Sequence, residues 1–232
     1  MNQFAQEKFI QTDPFGFSNC DFFFAGNFYA LCSIGNQSAN QADYIRGALL
    51  KISVIIPTLN AAHVIDSLLN SVSNQTLKAD EIIIVDSESD DETVLRAKAH
   101  PRIRVISIKR EEFDHGGTRD MALEASIGDI VLFLTQDAAI IDDKYIEKMV
   151  EAASQNKVAC VCGRQIAKDD APLYEKYTRE YNYPATSFIR DAYDIDRLGI
   201  KAYFLSDVCS AYRRDAYLAV GGFDHPIATN ED

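Results

Sequence analysis

From Lys51 onward the chain repeats one pattern: a short apolar run, then a segment whose apolar residues recur at helical spacing. Lys51–Pro57 (KISVIIP) is β-branched and bounded by proline, which predicts a strand. Ala62–Asn74 places Val64, Leu68, Leu69 and Val72 on one stripe and predicts a helix. Glu81–Val85 predicts the second strand, Asp91–Ala99 the second helix and Arg102–Ile108 a third strand. Gly117–Ser126 reads as a short helix stopped by Gly128, and Asp129–Leu134 as the fourth strand. Asp142 or Asp143 caps a helix running to about Asn156, with Tyr145, Ile146, Met149, Val150 and Ala153 facing inward. Val158–Gly163 is a further strand, and Pro172 opens a tyrosine-rich helix that ends before Pro184. Arg214–Val220 is a last short helix, terminated by Gly221 and Gly222. Wholly apolar strands alternating with helices predict an α/β fold, a mostly parallel central sheet with helices on both faces.

Residues 1–50 do not share this pattern. They are rich in Phe, Asn and Gln, with little helical or strand periodicity. They read as an N-terminal extension without a catalytic residue, and residues 51–232 as the domain proper. The formal charge of −12 over 232 residues argues against a general nucleic-acid binder, which needs a basic face. A polyanionic ligand must therefore be met by local arginines, backbone N–H groups or a metal. The five cysteines form no zinc-like spacing, and Cys160 and Cys162 share one strand face rather than forming CxxC, which suits a reducing compartment. No apolar run approaches the ~20 residues of a membrane span. Phe22–Ile34 comes nearest but is interrupted by Gly26 and Asn27 and lacks a basic segment ahead of it, so a cytoplasmic protein is expected.

The chemistry-bearing residues gather where the strands end. Ile130–Ala138 (IVLFLTQDA) is an apolar run that stops at Asp137, an acid where open α/β sheets bind ligands. Asp137 either caps the next helix or holds a divalent cation beside a phosphorylated ligand. The first strand ends in Pro57-Thr58-Leu59-Asn60, without the glycines of a dinucleotide fingerprint, which weighs against an NAD or FAD enzyme. The second ends in Val85-Asp86 and a hydroxyl-rich turn; Asp91 with Thr93 reads as a helix cap, whereas Asp86 sits too early for that role and suits ligand contact. In Phe113-Asp114-His115-Gly116-Gly117-Thr118-Arg119-Asp120, the two glycines allow close backbone approach, and Arg119 offers either a fork to phosphate or a surface ion pair. His115 is either a ligand contact or a loop histidine without a role. Tyr174, Tyr177, Tyr181 and Tyr183 read as the packed face of an amphipathic helix in preference to a sugar-stacking surface.

The ordered set VIIPTLN, VDSESDDET, GGTRDMALEASIGDIVLFLTQDA, GGFD and NED resembles glycosyltransferase family 2 with the GT-A fold. FDHGGTRD and FLTQDA are most similar to its bacterial rhamnosyltransferase branch. The resemblance covers Lys51 to Asp232. It implies donor-binding positions at Pro57, Thr58 and Asn60 after the first strand, and at Asp86 and Ser87 after the second. It further implies Gly117 and Arg119 near the donor pyrophosphate, with Gln136 beside them. Asp137 matches the last acid of the family's DxD element, which binds Mg²⁺ or Mn²⁺, and Asp232 matches the acid expected to act as catalytic base.

Thr135 replaces the first acid of DxD, which rests metal binding on one carboxylate. The chain also stops at Asp232 where family members continue, so a C-terminally truncated domain is expected. The resemblance implies an inverting enzyme that transfers a sugar, rhamnose from dTDP-rhamnose, to a hydroxyl of a surface-polysaccharide precursor. Such an enzyme would meet a glycan or lipid-linked acceptor, with at most peripheral contact at the inner face of the membrane. The alternatives are a catalytically incomplete nucleotide-sugar-binding module and a sugar nucleotidyltransferase. The last needs a Gly-rich basic loop after the first strand, which Pro57–Asn60 does not supply.

Overall fold

The computed structural model describes residues 22–32, 50–155 and 157–223, the first of these as a strand in its sheet. Its strands are β1 (Phe22–Cys32), β2 (Ile52–Thr58), β3 (Glu81–Asp86), β4 (Ile103–Ser107), β5 (Ile130–Leu134), β6 (Ala138–Ile140), β7 (Val158–Ile166), β8 (Phe188–Arg190) and β9 (Cys209–Arg213). The helices are α1 (Ile65–Ser73), α2 (Thr93–Lys98), α3 (His115–Ala125), α4 (Tyr145–Ala153), α5 (Leu173–Asn182), α6 (Ile195–Leu198) and α7 (Arg214–Val220). The sheet runs β4-β3-β2-β5-β9-β7-β1-β6, with β8 also paired to β1. Strands β2 to β5 pair in parallel, and β9 and β7 join antiparallel, so the sheet is mixed and mostly parallel.

The apolar runs form strands because both of their faces are covered. Val54, Ile56, Ile82, Ile84, Leu132 and Leu134 pack on one face with α1 and α4 residues such as Leu69 and Met149. The alternate residues Ile55, Ile83, Val85, Val131 and Phe133 pack on the other with Ala122 and Leu123 of α3 and Tyr217 of α7. Each such side chain contributes roughly 1.5–3 kcal/mol relative to an exposed one. The expected α/β architecture with helices on both faces is what forms.

Several local expectations need correction. Within the segment read as an extension, Phe22–Cys32 forms a strand that pairs antiparallel with β7 and parallel with β6 and β8. Gly26 and Asn27, which break its apolar run, fall where the pairing with β7 slips between Ala25 and Phe28, a bulge of the kind glycine permits. Helix α3 begins at His115, two residues before the expected Gly117. The tyrosine-rich helix α5 is turned the other way round from expectation. No residue within it is buried, and Tyr174, Tyr177 and Tyr181 are 63%, 71% and 63% exposed. Only Tyr183, at its C-cap, packs inward. The helix meets the body through its polar side, where Arg179 donates to the Gln165 side chain. Cys160, Cys162 and Cys209 are buried free thiols, and burial, then the neighbouring Cys162, pushes the Cys209 thiol well above its ordinary value. No helix among the described residues is long and apolar enough to cross a membrane.

Candidate active site

The order of strands fixes where a ligand can enter. From β2 the chain moves outward through β3 to β4, then returns to place β5 on the opposite side of β2. The carboxyl ends of β2 and β5 therefore flank a topological switch point, the position at which open α/β sheets bind ligands. A cavity of about 260 Å³ lies there. Its walls are Pro57 and Thr58 at the end of β2 with Leu59 just beyond, Ser87 after β3, and Thr135 and Gln136 after β5. Arg110 and Phe113 from the segment that leads into α3, and His115 and Arg119 from its first turns, close it.

Of the candidate donor-binding residues, Pro57, Thr58, Ser87, Arg119 and Gln136 line this cavity. Asp86, Asn60, Gly117 and Asp137 do not line the cavity. Asp86 is 3% exposed and, although it is no helix cap, it is bound into its own turn. Thr58 Oγ1 donates to its Oδ1 at 3.1 Å, Ser89 Oγ to the same oxygen at 2.6 Å, and Ser89 N–H to Oδ2 at 3.0 Å. Asp86 thus ties the tip of β2 to that of β3.

Asn60 reinforces the same junction from a left-handed backbone at φ 51°, which Asn tolerates better than most residues. Its N–H donates to Ser89 Oγ at 2.9 Å and its Oδ1 accepts from Asp90 N–H at 2.8 Å. Gly117 gives its N–H to the side chain of Asp114, the N-cap of α3, so that donor closes the helix rather than facing a ligand. The N-cap of α2 is Glu92, which makes no side-chain cap bond, whereas Asp91, expected to cap with Thr93, lies one residue earlier and its Oδ1 accepts from Thr93 N–H at 2.9 Å.

Gln136 bridges the two sides of the switch point. Its Oε1 accepts from Leu59 N–H at 2.8 Å, and its Nε2 donates to Leu59 O at 3.2 Å. Replacing Gln136 by alanine removes both bonds and frees the β2 tip from the β5 tip. A stability loss of about 1–2 kcal/mol is expected, read by urea titration, because each neutral hydrogen bond contributes roughly 0.5–1.5 kcal/mol. Unchanged stability would mean that Leu59 is held by other contacts.

Two of the residues lining the cavity carry unsatisfied hydroxyls. Ser87 Oγ and Thr135 Oγ1 are buried and have no hydrogen-bond partner among the described residues. A buried hydroxyl left unmatched costs about 1–3 kcal/mol, so such atoms in a cavity wall point to a ligand that matches them. Arg119 is only 3% exposed, and its Nη1 donates to His115 O at 3.1 Å. It is therefore a buried group and not the member of a surface ion pair. Its Nε lies 3.9 Å from Oδ2 of Asp207, an acid with no exposed surface.

No motif or periodicity in the sequence marks Asp207. It lies just before β9, in a stretch where apolar and polar residues mix and no element is expected. Ser210 Oγ and Tyr212 OH hold its Oδ1 at 2.6 and 2.9 Å. Burial, then the Asp207 charge, pushes the Tyr212 phenol well above its ordinary value, so it stays a donor. At the rim, Arg110 is half exposed and pairs with Asp90 at 2.8 Å, while Phe113 meets the His115 ring edge-on at 4.7 Å. The candidate base Asp232 lies outside the described residues.

Comparison with known proteins places the chain in a family and a fold. Residues 53–221 match the family model described as "Glycosyl transferase family 2". The O-antigen chain rhamnosyltransferase RfbN of Salmonella typhimurium is 38% identical over 184 residues, 79% of this chain and 59% of that protein. The O-antigen chain rhamnosyltransferase WbaN of Salmonella anatum is 37% identical over 182 residues, 78% of this chain and 58% of that protein. The chain thus spans less than two thirds of the length of these curated relatives. Among solved structures, a mannosyltransferase from Pyrobaculum calidifontis in complex with GDP-Man and Mn²⁺ superimposes with a TM-score of 0.56 at 18% identity, covering 82% of this chain and 55% of that one. The glucosyl-3-phosphoglycerate synthase of Mycobacterium tuberculosis with UDP gives 0.51 at 21% identity, covering 80% and 65%. At these identities the likeness establishes the fold, which is GT-A.

Proposed function

The chain belongs to glycosyl transferase family 2, and on that premise we propose that it transfers a sugar from a nucleotide diphosphate donor to a hydroxyl of a surface-polysaccharide precursor. The donor proposed is dTDP-rhamnose, supported by the rhamnosyltransferase names of the two Salmonella relatives. The observation that carries the reading is the switch-point cavity, with a buried arginine and two buried hydroxyls lacking partners among the described residues. Buried positive charge and unmatched hydroxyls suit a phosphorylated, hydroxyl-rich ligand better than an apolar one.

The steps follow from the residues. Pro57, Leu59 and Phe113 offer the apolar wall against which a nucleoside can lie. Arg119 meets the diphosphate, whose charge must be balanced before it can leave. Asp137 and the Thr135 hydroxyl offer hard oxygen donors just beyond β5. Among the described residues no group of three or more His, Cys, Asp or Glu gathers for a metal. That donor set fits a cation held by one carboxylate and completed by phosphate oxygens and water, the usual mode for Mg²⁺. A bound Mg²⁺ or Mn²⁺ would neutralise the leaving diphosphate. Asp232 is the proposed base, taking the acceptor proton as its oxygen attacks the anomeric carbon, and one displacement inverts that carbon. The proposed setting is the cytoplasm, with peripheral contact at the inner membrane face through a lipid-linked acceptor.

Calorimetry with dTDP and UDP, with and without Mn²⁺, followed by turnover of dTDP-rhamnose, tests the reading. Binding without turnover would favour a nucleotide-sugar-binding module, and no binding of either nucleotide would overturn the proposal. Asp137→Ala is expected to remove the Mn²⁺-dependent part of dTDP affinity, about tenfold, equivalent to about 1.4 kcal/mol. If affinity is indifferent both to EDTA and to this substitution, the metal role is wrong.

A further inference from the structure

We infer that Asp207 is a built-in countercharge to Arg119 that weakens the hold of the cavity on a nucleoside diphosphate and so favours its release. The inference rests on the reading of the cavity as a nucleoside diphosphate site and adds a residue that sets its affinity. Arg119 and Asp207 are both buried, at 3% and 0% exposure, and only the arginine lines the cavity. A guanidinium taken out of water without an anion costs several kcal/mol, so negative charge must accompany Arg119 before any ligand arrives. Asp207 supplies it from within the core, and its placement is fixed from behind. Ser210 Oγ and Tyr212 OH both bind Oδ1, which turns Oδ2 toward Arg119 Nε.

The separation of 3.9 Å is the informative feature. It is close enough for strong attraction in a buried setting, yet beyond hydrogen-bond reach. Asp207 therefore offsets the charge of Arg119 without engaging this edge through a direct hydrogen bond. On its other side Arg119 Nη1 donates to His115 O at 3.1 Å. When a diphosphate meets Arg119 from the cavity side, Asp207 stands behind the arginine as a fixed like charge. It opposes the ligand, and it takes over the arginine when the ligand leaves. Donor and product share the diphosphate, and product release limits turnover in many enzymes.

Asp207→Asn keeps the shape and the acceptor oxygen for Ser210 and Tyr212 while removing the charge. The variant is expected to bind dTDP about tenfold more tightly than the wild type, because a like charge within a few ångströms of the ligand has gone. Thymidine, which has no phosphate, should bind both proteins alike. The ligand-free variant should melt lower than the wild type and gain more from dTDP, because it binds the diphosphate more tightly. Damage to structure alone would weaken dTDP and thymidine together. Equal or weaker dTDP binding by the variant, with the wild type binding normally, overturns the inference alone. A wild type that binds no dTDP overturns the reading of the cavity and the inference with it. Should the variant be insoluble, refolding with saturating dTDP or thymidine decides. Recovery by dTDP only is expected, and recovery by both or by neither overturns the inference.

Discussion

Replacing Arg119 by glutamine is expected to weaken dTDP binding by at least about a hundredfold, while thymidine binding changes little. The expectation follows from burial. A charge-assisted bond between a buried arginine and a phosphate loses about 2–5 kcal/mol when one partner is truncated, and roughly 2.8 kcal/mol is a hundredfold. The same substitution removes the arginine charge beside Asp207, which is buried and held by Ser210 and Tyr212. Breaking a buried pair by removing one member costs about 3–5 kcal/mol, so the ligand-free protein should also lose stability toward the lower end of that range. Isothermal calorimetry reads the first effect and urea titration the second. A variant that loses stability yet binds dTDP as before would show that Arg119 serves the fold and not the ligand.

The two effects are separable because Arg119 faces both ways, and this explains why the site is only half legible in the sequence. The strand tips can be read directly. β2, β3 and β5 are apolar on both faces, so their polar ends stand out, and Thr58, Ser87 and Gln136 lie at those ends. Arg119 is marked by GGTRD. Which of the polar residues at a tip turns into the cavity and which turns back into the loop depends on hydrogen bonds between segments far apart in sequence or on local caps. Asp86, Asn60 and Gly117 are each engaged by such a bond, to Thr58, to Asp90 and to Asp114. Nothing in their spacing reveals it.

Asp207 is hidden in the sequence for a related reason. β9 is five residues long and pairs antiparallel between two other strands, and Ser210 on it is a buried polar residue because it serves Asp207. A strand that spends its pattern on a buried polar network loses the apolar signature by which strands are recognised. The helix Leu173–Asn182 departs from expectation in the opposite sense. Its spacing is that of a packed amphipathic helix, but its polar side faces the body through Arg179 and its tyrosines face outward. Periodicity reports that a helix has two faces; which one is inward is a tertiary outcome.

Gly128→Ala is expected to destabilise the fold by about 3 kcal/mol, at the upper end of what overpacking by one methyl costs. Gly128 reads in the sequence as a helix stop, yet crowding is the stronger constraint. A Cβ there would lie 2.6 Å from the backbone nitrogen and from Oγ of Ser53, and 2.7 Å from Ile130 O. Two of those atoms are backbone, in β2 and β5, the strands whose tips flank the cavity. Neither can move without shifting the parallel pairing of Ile52 with Ile130 and Ser53 with Val131. Ser53 Oγ is also held, donating to Glu81 Oε1 at 2.5 Å, so a rotamer change does not relieve the contact. Gly221 supplies the control, since a Cβ there meets nothing within 4 Å and only its left-handed backbone, φ 87° and ψ 19°, is unfavourable. Gly221→Ala should therefore cost about 1 kcal/mol, the scale of a strained backbone alone. Urea titration of both variants distinguishes the causes. Equal losses would mean that backbone strain and not the close approach of β2 to the Gly128 turn decides the outcome, whereas a larger loss at Gly128 ties the stability of the sheet to the junction that shapes the site.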